Sequence, residues 1–171
     1  MTILIKHVVR FLFFILIQVF VLNQIELGFG VQLMVYPLFI FLLPVELRIF
    51  PLLALSFLLG ISIDSMSNTY GLHTSALLTF AYARPILFKL FAPRDGYDPL
   101  LGPNIFEMGR KWFFKTFGLL LVIHHFWFFL LEMFKLNELL FVLQKVALSV
   151  PTSFLVCLLL QYLFVTKSSH K

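Results

Sequence analysis

The residues of this chain whose types and spacing could do chemistry are few, and each lies in or beside an apolar run. Asp64 closes "LLALSFLLGISID" and leads into "SMSNTYGLHTSA". A carboxylate so placed can carry an ion or proton, lock neighbouring helices through polar bonds, or end a helix where it meets water. About fifteen residues of helix at 1.5 Å each put it roughly 22 Å from the other end of its run, near one membrane surface. Burying a charge mid-bilayer costs roughly 2.5–3.5 kcal/mol on insertion scales and much less near the rim, so burial is not required to explain Asp64. Apart from Glu26, no second acid lies at a similar depth.

Arg84 is the clearest charge within a span, about fourteen residues down its run and so roughly 20 Å from the Asp64 level, too far for a direct pair in straight helices. Its stem can snorkel toward Lys89 and the interface. Its place before Pro85 leaves open a role at a kink or in the bundle interior. His73, His124 and His125 fall at the depth of Asp64. A metal or haem site needs two or more to converge, and His124 and His125 point about 100° apart on one helix, so hydrogen-bonded interior histidines are expected and no metal or cofactor. HExxH, P-loop, GxSxG and kinase patterns are all missing, and nothing positive supports an enzyme.

The elements that position these groups follow from composition. The chain has 171 residues, 61% hydrophobic and 12% charged, with 23 Phe; its mean hydropathy of +1.00 is far above a soluble domain. The expected fold class is all-α: one polytopic membrane domain of six transmembrane helices with no separate soluble module. The lone Cys157 offers no disulfide. The apolar start with Lys6, His7 and Arg10 lacks a small-x-small cleavage site, so it reads as an uncleaved first span. The six spans are expected at about 8–25, 31–45, 49–63, 71–92, 112–131 and 146–165, the second and third being short.

Placing the N-terminus in the cytoplasm puts Lys6, Arg10, Arg48, Lys89, Arg94, Arg110, Lys111, Lys115, Lys167 and Lys171 inside and only Lys135 and Lys145 outside. Both termini are therefore expected in the cytoplasm. The net charge of +5 then reports orientation, and no nucleic-acid partner is expected. The cytoplasmic loop 93–111 is broken by Pro93, Gly96, Pro99, Gly102 and Pro103. It reads as a mobile linker or, because Tyr97, Leu100, Leu101, Ile105 and Phe106 are apolar, as a folded surface loop, the second being favoured. The stretch "NELLFVLQKVAL" before Pro151 is either an interfacial turn or the first part of a kinked sixth span.

Small residues recur four apart on both sides of Asp64. Ser56, Gly60 and Asp64 share one face of the third span, and Gly71, Ser75, Thr79 and Ala83 share one face of the fourth. Such faces let backbones approach closely in lipid, so a packed hairpin is expected.

The exit "LLPVE", the pattern G-x-x-x-D at Gly60 and Asp64, the short turn to Gly71, the pair Arg84-Pro85 and the loop "APRDGYDP" with Arg94, Asp95, Gly96 and Tyr97 together resemble the rod shape-determining protein MreD family over about residues 30–110. That resemblance implies a non-enzymatic subunit of the bacterial elongation complex in the inner (plasma) membrane. It would associate with MreC and, through it, with MreB, RodA and a class B penicillin-binding protein in lateral peptidoglycan synthesis. The family is also similar in its six-span arrangement to substrate-binding subunits of vitamin transporters. A small-molecule transporter subunit, binding near Asp64, His73 and His124, is therefore the alternative.

Overall fold

A computed structural model describes residues 2–99, 101–134 and 136–164. Leu100, Lys135, Val165, Lys167 and Lys171 of the sequence reading lie outside the described residues. Helix α1 (Thr2–Phe20) runs into a 3-10 turn (Leu22–Gln24). Helices α2 (Pro37–Phe41), α3 (Ile49–Ser67), α4 (Leu72–Leu90) and α5 (Arg110–Met133) follow, and a second 3-10 turn (Leu136–Glu138) leads to α6 (Leu139–Phe164). No strand occurs among the described residues, so the chain is all-helical.

Four helical stretches are long and apolar enough to cross a membrane: His7–Gln24, Ile49–Ser67, Arg110–Met133 and Leu139–Leu163. These four are compatible with a multi-pass membrane protein. Helix α4 matches α3 in length at 19 residues and packs between α3 and α5. It is less apolar because it turns His73, Thr74 and Arg84 into the interior. Helix α3 runs past the expected end at 63 to Ser67, where Asn68 takes the left-handed conformation (φ 55°) and caps it. Asp64 therefore sits inside the last turn. Helix α6 begins at Leu139 and carries Pro151 within it, so the stretch before the proline belongs to the helix.

The expected helix at 31–45 is the one element that the structure replaces. Only Pro37–Phe41 is helical there. Gly28, Phe29 and Gly30 turn through positive φ (74°, 50° and 70°), and the chain then enters without regular structure over residues 31–35. Pro37 suits a first helical turn, where its missing amide is harmless, and Pro44 discourages any extension beyond the last turn. Residues 33–41 are nevertheless buried throughout. Residues 32–41 follow α5 along most of its length: Gln32 bonds Glu132 near its end, Tyr36 reaches His124, and Phe41 packs on Phe117 and Phe113 near its start. Extended chain advances about 3.3 Å per residue against 1.5 Å in a helix, which is how so few residues go so far.

The two ends of the bundle differ in charge. The turns at 23–32 and 66–71, the last turn of α3 and the end of α5 hold Glu26, Asp64 and Glu132, with Lys145 paired to Glu132 at 2.7 Å. The opposite end, formed by 44–50, the loop 93–109 and the start of α5, holds Arg48, Lys89, Arg94, Arg110, Lys111 and Lys115.

Candidate functional site

Gly71 starts α4 with φ 93° and has no side chain to cap the helix. The cap comes from the preceding helix instead. Asp64 Oδ1 accepts the His73 amide at 3.0 Å and the Thr69 hydroxyl at 2.6 Å, while Oδ2 accepts the Thr74 amide at 2.8 Å and its hydroxyl at 2.5 Å. A carboxylate on the first amides of a helix is favoured both by its unmet donors and by its dipole. At 4% exposure, Asp64 is a buried lock between α3 and α4 and a helix cap at once. One turn earlier, Gly60 lies so close to Thr74 that a β-carbon would collide with its backbone.

The face of α4 that meets Gly60 is therefore centred on Thr74, one residue round from the expected stripe of Gly71, Ser75, Thr79 and Ala83. The turn between the helices passes through positive φ at Asn68, Tyr70 and Gly71. Ser75 instead receives the Trp127 indole N–H from α5 at 2.9 Å, Thr79 bonds back to the Ser75 carbonyl at 3.0 Å, and Ala83 is half-buried. Ser56 is buried on α3 with its hydroxyl on the Leu52 carbonyl at 2.8 Å, and Pro85 is exposed on α4.

The backbone of residues 31–35 has no helix to satisfy it, and buried amides left bare in lipid are costly. Side chains of α1 and α6 supply the partners. Gln18 donates to the Leu33 carbonyl at 2.8 Å and accepts the Val35 amide at 3.0 Å. Ser149 accepts the Gln32 amide and Ser153 the Met34 amide, each at 3.0 Å. At the far end of the segment the Arg84 guanidinium donates to the carbonyls of Phe41, Leu43 and Pro44, the last at 3.2 Å, and stacks 4.4 Å from the Phe88 ring centroid. A cation on carbonyls at the C-terminal end of α2 is the counterpart of Asp64 at the start of α4. With 1% exposure Arg84 does not snorkel; it clamps the broken segment.

Between these anchors lies a hydrogen-bonded core. The Tyr36 hydroxyl is 2.9 Å from His73 Nδ1 and 2.8 Å from His124 Nε2. His124 Nδ1 is buried with no partner. A bare lone pair is cheaper to bury than a bare N–H, so the bonds run from His124 Nε2–H to the Tyr36 oxygen and from the Tyr36 hydroxyl to His73 Nδ1. His125 donates from Nδ1 to the Leu121 carbonyl at 2.9 Å and lies 3.1 Å from Ser153 Oγ through Nε2. The histidines are thus built into the packing, and among the described residues no group of three or more His, Cys, Asp or Glu could hold a metal.

At the basic end, the loop is folded onto the helices. Tyr97 donates to the Phe88 carbonyl at 2.6 Å, its ring lies 6.0 Å from Trp112, and partial burial raises its phenol above the ordinary value. The Ile105 amide donates to Gln161 at 3.0 Å. Arg94, Asp95 and Gly96 are exposed at the loop tip.

Sequence reasoning passed over Gln18, Tyr36, Ser149 and Ser153. Their signal was an isolated polar residue in an apolar run, and for Ser149 and Ser153 a spacing of four that puts both on one face of α6. No protein-family model, curated protein or solved structure matches the chain.

Proposed function

We propose that the chain is a non-enzymatic scaffold subunit of the bacterial elongation complex, a six-pass protein of the inner membrane with both termini in the cytoplasm. In this reading it binds MreC and, through it, serves MreB, RodA and a class B penicillin-binding protein in lateral wall synthesis. The likeness to the MreD family in "LLGISIDSMSNTYGLHTSALLTFAYARP" and "APRDGYDP" names the partners. The observation that carries a scaffold role is the commitment of both interior charges to neighbouring backbone, Asp64 to the α4 amides and Arg84 to the carbonyls of 41–44. Such bonds stiffen a bundle and leave neither group free for proton transfer or nucleophilic attack. They also weigh against a transporter that recognises its ligand through Asp64, since both oxygens are taken.

Six passes are supported by the course of residues 32–41 beside α5 and of α4 between α3 and α5. The excess of Lys and Arg at one end supports a cytoplasmic placement of that end. Depletion in a rod-shaped host should round the cells, and the tagged chain should recover MreC from mild detergent. Normal rods and no MreC would defeat the reading.

A further inference from the structure

A cavity of about 630 Å³ opens at the acidic end, between the turns at 23–32 and 66–69 and the end of α5. That volume is in the range of small-ligand sites. It is lined on one side by the non-helical segment, and interrupted backbone at membrane depth is a recurrent way to build a binding site. Its polar groups are not all spent within the protein. His73 is 3% exposed and lines the cavity; with Nδ1 accepting from Tyr36, its neutral ring keeps an Nε2–H that has no partner among the described residues. Glu26 and the side-chain carboxamide of Asn68 also line the cavity with no partner among the described residues. The Gln32 side chain donates its Nε2–H to Glu132 and keeps its Oε1 as an acceptor. Phe128, packed 4.9 Å from the His73 ring, adds an aromatic floor.

This set has one buried donor, several acceptors, an amide with both, and a flat apolar surface. Among the described residues no Lys or Arg lines the cavity, and Lys145, which borders it beside Gly30, is already paired to Glu132, so a phosphate or other anion would have to compete with that pair while facing the Glu26 carboxylate. We propose that the cavity binds a neutral, hydroxyl-rich ligand, a saccharide either free or as the headgroup of a glycolipid, with His73 donating to a ring substituent and Glu26 and Gln32 accepting from hydroxyls. This goes beyond the scaffold reading and does not depend on it.

The test uses the full chain in lipid nanodiscs and follows thermal unfolding and equilibrium binding. Three probes are compared: N-acetylglucosamine in solution, glucosyl-diacylglycerol in the disc, and inorganic phosphate. Saturable stabilisation by the soluble sugar, or by the glycolipid alone, supports the proposal and distinguishes its two sources. Glu26→Gln, a substitution at an exposed residue, is expected to weaken binding about tenfold. Met66→Trp, which fills the cavity from its exposed edge, is expected to abolish binding with the unliganded melting temperature unchanged. No stabilisation by either sugar, stabilisation by phosphate instead, or sugar binding that Glu26→Gln leaves unaltered overturns the proposal. Should Met66→Trp misfold, Glu26→Gln still decides.

Discussion

Asp64 Oδ2 lies 2.8 Å from the Thr74 amide nitrogen, so an acid in the last turn of α3 is the N-terminal cap of α4. Asp64→Ala strips the acceptor from two amides and two hydroxyls. The expected loss is about 2–4 kcal/mol of stability, from the cap and the stranded donors together. Asp64→Asn keeps one acceptor oxygen and should lose less. Thermal unfolding in mild detergent measures the order wild type, Asn, Ala; equal midpoints for all three would show that the carboxylate locks nothing.

Gly60 permits that cap because it lets the Thr74 backbone come within contact. Gly60→Ala must push α3 and α4 apart, at an expected cost of about 1–3 kcal/mol despite the better helix propensity of alanine. Ser56→Ala, one turn away, removes only a hydroxyl bonded to its own helix and should shift the melting temperature little. The contrast between the two variants is the measurement, and similar shifts would place the close approach elsewhere.

Arg84 holds three carbonyls at the end of the broken segment. Arg84→Leu leaves them without a donor in the interior, and about 3 kcal/mol or more is expected to be lost. Lysine supplies the charge without the planar fork, so Arg84→Lys should recover only part of it. Unfolding midpoints in the order Arg, Lys, Leu support the clamp; full recovery by lysine would mean that charge alone suffices.

The presence of α1, α3, α4, α5 and α6 was legible because each is an apolar run of helical length bounded by charge, glycine or turn residues; the ends were less so, since α1 starts at Thr2 and ends at Phe20 against an expected 8–25, and α6 starts at Leu139 against an expected 146. Asp64 and Gly60 stood out for the same reason, since a small residue and an acid four apart are conspicuous in such a run. The segment 31–45 was not legible as a broken one. Its hydropathy is that of a helix, and what unwinds it is the presence of backbone partners on α1 and α6, residues more than a dozen positions away. Arg84 stayed undecided between the interface and the interior for a like reason: its carbonyl partners belong to another element. Hydropathy reports what lipid accepts, whereas these bonds report which elements meet.

Gln18 and Ser153 divide the hold on residues 33–35 between two helices. Gln18→Leu should speed amide exchange at Val35, and Ser153→Ala at Met34, each by about tenfold to a hundredfold, the kinetic image of one lost buried bond. Hydrogen exchange read by NMR or by mass spectrometry of short peptides distinguishes the two positions. Faster exchange across the whole bundle in either variant would mean that the segment does not open on its own.

Tyr97 ties the loop tip to α4 through one hydrogen bond and its contacts with Phe88 and Trp112. Tyr97→Phe removes the bond and keeps the ring, for an expected loss of about 1 kcal/mol in local closing. Arg94 is exposed three residues earlier and is the natural reporter, because trypsin cleaves after arginine once the backbone around it can adapt. Cleavage there should rise about fivefold in Tyr97→Phe, and more in Tyr97→Ala, which also gives up the packing on Trp112. The melting temperature of the bundle should stay near wild type in the phenylalanine variant, since the bond joins the loop to one end of α4 and no helix-to-helix contact depends on it. Unchanged cleavage in both variants would show that the loop is held through Ile105 and Gln161 rather than through Tyr97.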